Sequence, residues 1–261
     1  MTTTQHAPDV SVIIPCYNEE KNLEHGVLDE VHRYLSHQPT GWEVLIVNDA
    51  STDRSRELIA DFIEGKSRYQ LIDIPHGGKP AAVWAGIQAA RGDVILFTDM
   101  DQSTPISEWD KLQPWYDQGY DVVIGSRGHT REGSSIVRKL GSVVFLTLRQ
   151  LVLLEEIRDT QCGFKSCRRD VALEIFPQLA VIRADDQPTG WKVSAYDVEF
   201  LHLCEKAGYR IREVNVTWRN RDLSDTKAPE GALTRYLRES IEMGKEILRV
   251  KINDLKGYYD L

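Results

Sequence analysis

Residues 92–101 read Gly92-Asp93-Val94-Ile95-Leu96-Phe97-Thr98-Asp99-Met100-Asp101. Val94 to Thr98 is a short, continuous apolar run, the pattern of a strand buried on both faces. It ends in two carboxylates separated by one residue. Residues two apart in an extended segment point the same way, so Asp99 and Asp101 face one site together. Ligands of open α/β sheets bind at the carboxyl ends of the strands. Like charges held close repel unless a cation lies between them, and oxygen donors suit Mg²⁺ or Mn²⁺. A solvated acidic turn is the alternative reading, because aspartate is common where strands end.

Similar runs flank this one. Val10 to Ile14 is β-branched and apolar, and Pro15 is expected to end it. Asn18 is placed to cap a following helix, which carries Leu23, Val27, Val31 and Leu35 at helical spacing. Trp42 to Val47, Tyr69 to Ile74 and Asp121 to Ile124 read as further strands, and an Ala-rich helix from about 81 to 90 follows the loop Pro75-His76-Gly77-Gly78-Lys79-Pro80. Strands alternating with helices predict an α/β protein with a mostly parallel, doubly wound sheet and helices on both faces. Asp49, the Gly77-Gly78-Lys79 loop, Asp99 and Arg127 each follow a strand, so they should gather along one sheet edge. No GxGxxG follows the first strand and no GxxxxGK[ST] occurs, which argues against the usual dinucleotide and P-loop folds.

The second half is less regular. Residues 138–155 read as one helix with a wide apolar face. Asp159 to Lys165 reads as a loop or short strand, Asp197 to Ala207 as a helix ended by Gly208, and Tyr209 to Trp218 as a strand. Leu233 to Leu255 reads as an amphipathic helix interrupted by Gly244. These elements suggest a catalytic unit over residues 8–218 and a C-terminal loop and helix over 219–261.

The chain has 261 residues, 41% of them hydrophobic, and a formal charge of −8. That supports a sizeable core and argues against nucleic acid as a partner. Four cysteines without paired CxxC spacing read as reduced thiols in a cytoplasmic protein. No run reaches the roughly 18–20 apolar residues of a membrane span. Peripheral attachment to a membrane's cytoplasmic face stays compatible, through the apolar 140–154 segment, as does self-association.

The ordered set VSVIIPCYNEE, VLIVNDASTD, GGKPAAVWAG, DVILFTDMD, VVIGSR, DTQCGFK and YDVEFLHLCEKAGYRI resembles family-2 glycosyltransferases of the A-type (GT-A) nucleotide-sugar fold. Within them it is most similar to the polyprenyl-phosphate sugar transferases. The DTQCGFK block looks like the dolichyl-phosphate β-glucosyltransferases, with the mannosyltransferases next. The resemblance implies that Pro15, Tyr17, Glu19, Asp49 and Lys79 bind the donor nucleotide. It implies that Asp99 and Asp101 form the DXD pair that holds Mg²⁺ or Mn²⁺ and the diphosphate. It further implies that Arg127, Arg138 and Ser142 hold a lipid phosphate, and that Asp197, in a later acidic motif, is catalytic together with Asp99 and Asp101. There are departures. Asn48 stands where two aspartates are usual, Trp84 replaces an arginine, Ser103 replaces a metal-contacting glutamine of some members, and Tyr196 replaces a glutamate.

The chemistry points the same way. A phosphate monoester, with a second pKa of about 6, is already ionised at neutral pH and needs positioning more than a base. Arg127, Arg131, Arg138, Lys165, Arg219 and Arg221 supply more positive charge than a neutral acceptor requires. Arg131 and Arg221 also suit plain surface charge, Asp197 a helix cap, and Asp159 the orientation of a neighbouring arginine. The expected activity is inverting, metal-dependent transfer of a hexose, glucose first, from UDP-glucose or GDP-mannose to a polyprenyl phosphate. The alternative is the same fold acting on a soluble glycan, small molecule or protein.

Overall fold

The computed structural model describes residues 8–128, 157–183, 196–223 and 232–259. Seven strands form one sheet: β1 Val10–Cys16, β2 Trp42–Asp49, β3 Tyr69–Ile74, β4 Val94–Phe97, β5 Val122–Ser126, β6 Lys165–Arg168 and β7 Ile211–Asn215. Their order is β3-β2-β1-β4-β6-β5-β7. All neighbours are parallel except β6, which runs antiparallel between β4 and β5. The sheet is therefore α/β and mostly parallel, as the alternation of elements predicts.

Period-two alternation sorts the strand residues between two cores. Ile13, Leu45, Ile95, Phe97 and Ile124 face helices Gly78–Ala89, Arg169–Ile175 and Tyr196–Lys206. Val12, Ile14, Val44, Ile46, Leu96 and Val123 face the opposite layer, which includes helix Val27–Ser36 and the short helix Trp109–Leu112. With both faces covered, the strands need the continuous apolar runs seen in the sequence.

Several boundaries differ from expectation. β1 continues through Pro15 to Cys16. Its pairing with β4 ends at Ile13, so Pro15 lies where the strand has a ladder partner on one side only, and proline is tolerated there. The helix expected after β1 is broken at Gly26, whose φ of 75° is left-handed, into Glu20–Glu24 and Val27–Ser36. Asn18 is not the cap; its own φ is 55°, and its side chain accepts from the Thr52 amide at 2.8 Å. The C-terminal helix runs unbroken from Ala232 to Leu255 through Gly244. A mid-helix glycine costs about 1 kcal/mol against alanine, which the burial of Ile247 and Val250 on the same helix offsets. The stretch 138–155, with Arg138 and Ser142, lies outside the described residues, as does Arg131. No described helix is long and apolar enough to cross a membrane.

Candidate active site

Among the described residues, the non-glycine positions with left-handed backbones lie at the carboxyl ends of β1, β2 and β4: Asn18, Ala50 and Gln102, with φ of 55°, 55° and 50°. Such conformations are uncommon and persist where surrounding contacts hold them. Gln102 shows how. Its side chain donates to the Asp99 carbonyl at 2.8 Å and to the Thr98 hydroxyl at 3.2 Å, and accepts from the Ile106 amide at 3.0 Å. This pins the turn that bears Asp99 and Asp101.

The two aspartates have different surroundings. Asp99 pairs with Lys79, from the first turn of helix Gly78–Ala89. Burial raises its pKa, but Lys79, Lys165 and Arg127 outweigh that and hold the carboxyl below its ordinary value. Asp101 accepts from the Ser103 amide at 2.8 Å and the Ser103 hydroxyl at 2.9 Å. Its carboxyl is nevertheless raised, by burial and by the charges of Asp99 and Asp222. Burial, with the charges of Asp222, Asp101 and Asp99 acting against the Asn22 hydrogen bond, pushes Glu19 up to about 7. Asp101 thus has Asp99, Asp222 and Glu19 as acidic neighbours. Among the described residues, no three His, Cys, Asp or Glu side chains are arranged as a ready metal cage. Two neighbouring carboxylates with further acidic groups beside them fit a hard divalent ion whose remaining ligands come from a diphosphate and water.

Asp49 is buried and holds a loop. It accepts from the Gly77 amide at 2.7 Å and the Gly78 amide at 2.9 Å, and lies 3.0 Å from the His76 ring. His76 in turn stacks on Tyr17, with ring centroids 4.6 Å apart. No role for His76 was legible in the sequence, because its partner lies at the end of another strand. Asn48 donates to Asp73 at 2.8 Å and accepts from the Ser51 amide at 3.1 Å. An aspartate here would set two carboxylates against each other, which explains the departure from the usual pair.

On the other side of β4, the loop 159–164 leads into β6. A Cβ on Gly163 would collide with the Asp99 carboxylate, so only glycine permits this approach. Arg127 is gripped by Asp159 through two guanidinium contacts of 2.8 Å and a backbone contact of 3.0 Å. Asp159 thus orients its arginine, one of the two roles open in the sequence. Lys165 is buried in β6 and pairs with Asp197 at 2.8 Å. Asp197 sits in the first turn of helix Tyr196–Lys206.

The segment after β7 is strapped across the aspartate turn. The Arg219 amide donates to the Ser103 carbonyl at 2.8 Å, and the Arg221 amide to the Ser103 hydroxyl at 3.2 Å. Arg221 itself is turned away into a bidentate pair with Glu30 at 2.7 and 2.8 Å, while the Arg219 side chain is exposed. The structure therefore brings together Tyr17, Glu19, Asp49, Lys79, Asp99, Asp101, Arg127, Lys165 and Asp197, with Pro15 in the strand beneath.

Comparison with known proteins gives this arrangement its class. The model of the family described as Glycosyl transferase family 2 matches residues 11–176, and the chain belongs to that family. It is a glycosyltransferase of the A-type fold. Among curated relatives, it is 30% identical to a dolichyl-phosphate beta-glucosyltransferase of Dictyostelium discoideum, covering 97% of this chain and 76% of that protein. It is 31% identical to the Mus musculus protein of that name, over 97% of this chain and 78% of the other. Among solved structures, the mannosyl-3-phosphoglycerate synthase of Rubrobacter xylanophilus aligns with a TM-score of 0.64 at 18% identity, over 97% and 76% of the two chains. The glucosyl-3-phosphoglycerate synthase of Mycobacterium tuberculosis, solved with Mn²⁺ and UDP, aligns at 0.60 and 17%, over 94% and 80%. These two likenesses bear on the fold alone.

Proposed function

We propose that this enzyme transfers glucose from a nucleotide sugar to a polyprenyl or dolichyl phosphate, with inversion at the sugar carbon. The observation that carries the reading is the grouping of Asp99 and Asp101 with Lys79 on one side and Arg127 and Lys165 on the other. The relatives named for dolichyl-phosphate glucosylation, matched over nearly the whole chain, support the same donor sugar and acceptor.

In this reading Asp99 and Asp101 hold a Mg²⁺ or Mn²⁺ ion, which when bound stabilises charge on the departing diphosphate. Lys79 stands beside the same diphosphate. Tyr17, His76 and the loop held by Asp49 line the nucleotide side, with Pro15 and Glu19 shaping the turn below. Arg127, kept in one rotamer by Asp159, presents its remaining N–H groups to the acceptor phosphate. Lys165 adds charge there, and Asp197 positions Lys165 through their ion pair. Arg219 belongs to the same acceptor role, and the resemblance adds Arg138 and Ser142, which lie outside the described residues. An ionised phosphate oxygen attacks the sugar from the face opposite the leaving diphosphate and needs no proton removed. Asp159 and Asp197 are engaged by Arg127 and Lys165 instead of being free to act as bases, which suits such a nucleophile.

The test is a screen of UDP-glucose, GDP-mannose, UDP-galactose and UDP-N-acetylglucosamine with a short polyprenyl phosphate, with and without chelator. Metal-dependent formation of a β-linked glucosyl lipid phosphate is expected with UDP-glucose. Transfer only to water-soluble acceptors would overturn the lipid assignment, and undiminished activity in chelator would overturn the metal.

A further inference from the structure

Helix Ala232–Leu255 carries two apolar stripes. Ile247 and Val250 are fully buried and join the core together with Tyr259. Ile241, Leu248, Ile252 and Leu255 are exposed by 60, 49, 48 and 76%. At 3.6 residues per turn these four fall within an arc of about 60°, well away from the buried pair. Lys245 and Lys256 border the exposed stripe on one side and Lys251 on the other. None of the three makes an ion pair with a described residue. The described acids of the helix are engaged elsewhere: Glu246 pairs with Arg249 at 2.9 Å, and Asp254 with Lys206 at 2.7 Å and His202 at 3.2 Å.

The helix also has a defined direction relative to the site. Glu199 meets Arg249, and further along both helices Lys206 meets Asp254, so the C-terminal helix runs parallel to Tyr196–Lys206. Asp197, near the start of the latter, marks the active-site side. Ile241 lies eight residues before Arg249, about 12 Å further in that direction at 1.5 Å per residue. The exposed stripe therefore extends past the sheet edge that carries the site.

We propose that this outer face docks on an anionic lipid bilayer. The aliphatic stripe would enter the boundary between headgroups and acyl chains, and the three lysines would meet lipid phosphates. Charge complementarity selects this occupant. A second copy pairing through the same face would bring one lysine border against another, whereas an anionic surface neutralises both. This docking draws on no residue of the 140–154 segment and holds whichever acceptor the enzyme uses.

The full chain should co-sediment with phosphatidylcholine vesicles containing phosphatidylglycerol, in the absence of polyprenyl phosphate, and much less with pure phosphatidylcholine. Leu248→Glu with Ile252→Glu should weaken partitioning about tenfold or more, through loss of half-exposed aliphatic area. Lys245→Gln, Lys251→Gln and Lys256→Gln together should lower it about 100-fold on anionic vesicles, at about 1 kcal/mol per lysine. All of these positions are exposed or half-exposed, so circular dichroism and donor hydrolysis should be unchanged. Absence of vesicle binding, or equal binding by the variants, would overturn the proposal. So would light scattering that shows a dimer which the Leu248→Glu, Ile252→Glu protein no longer forms.

Discussion

Asp99 and Asp101 carry like charge one residue apart, yet their partners divide their roles. Lys79 holds Asp99 ionised, whereas burial and the neighbouring charges of Asp99 and Asp222 raise the Asp101 carboxyl against its hydrogen bonds from Ser103. Asp99→Asn and Asp101→Asn should each lower turnover about 10²–10³-fold, the usual loss for one stabiliser of developing charge. Circular dichroism should stay unchanged, because neither carboxylate belongs to a core. Arg127 and Asp159 are a mostly buried, bidentate pair. Asp159→Asn strands the guanidinium and should cost about 3 kcal/mol in urea unfolding. The Arg127 charge outweighs burial and depresses Asp159 from 3.8 to about 2. Since the folded pKa is the lower one, this stabilisation is complete above pH 4 and fades as pH falls towards 2. A urea series across that window should show the loss in the native protein and not in Asp159→Asn. Arg127→Ala should reduce transfer to polyprenyl phosphate more than donor hydrolysis.

The loops at the strand ends are held by contacts from neighbouring strands, and that is where substitutions act at a distance. Gly163→Ala places a methyl group in the space of the Asp99 carboxylate. It should match Asp99→Asn in lost turnover, although position 163 bears no chemistry, while Gly244→Ala, in the C-terminal helix with open space around it, should not. Asp49→Asn replaces one acceptor with a donor facing the Gly77 or Gly78 amide. One buried N–H then goes unpaired, at about 1–3 kcal/mol, and the loop under His76 loosens. Calorimetry should show nucleoside diphosphate affinity falling about 5–100-fold, with acceptor binding unaffected.

One buried carboxylate is a node between the C-terminal helix and the rest of the fold, beside the Asp254 contacts to Lys206 and His202. Glu199 accepts from Tyr259 at 2.6 Å, from the Ala180 amide at 2.9 Å and from Arg249 at 3.1 Å. Three distant segments converge on one fully buried side chain. Glu199→Gln removes its charge from this node and should cost about 3 kcal/mol, of the order of 10 °C in melting temperature for a chain of this size. If the helix is the membrane-docking element, the same variant should also loosen vesicle binding without altering the isolated helix face.

The alternation of buried runs with helical segments and the carboxylates at strand ends were readable from residue order, because strand period and strand-end chemistry are local properties. So was the grouping of Asp49, Lys79, Asp99 and Arg127, since parallel strands put their carboxyl ends on one edge. Local patterns could not reveal that β6 enters the sheet antiparallel, because Lys165-Ser166-Cys167-Arg168 has no strand-like alternation and is defined by the neighbours it fills between. Pairings such as Tyr17 with His76, Asp197 with Lys165, or Ser103 with the strap from β7 join residues far apart in the chain. The outer stripe of the last helix is of the same kind. Its apolar residues were visible in the sequence, but which of its faces is buried depends on Glu199, His202 and Lys206 meeting it across the fold.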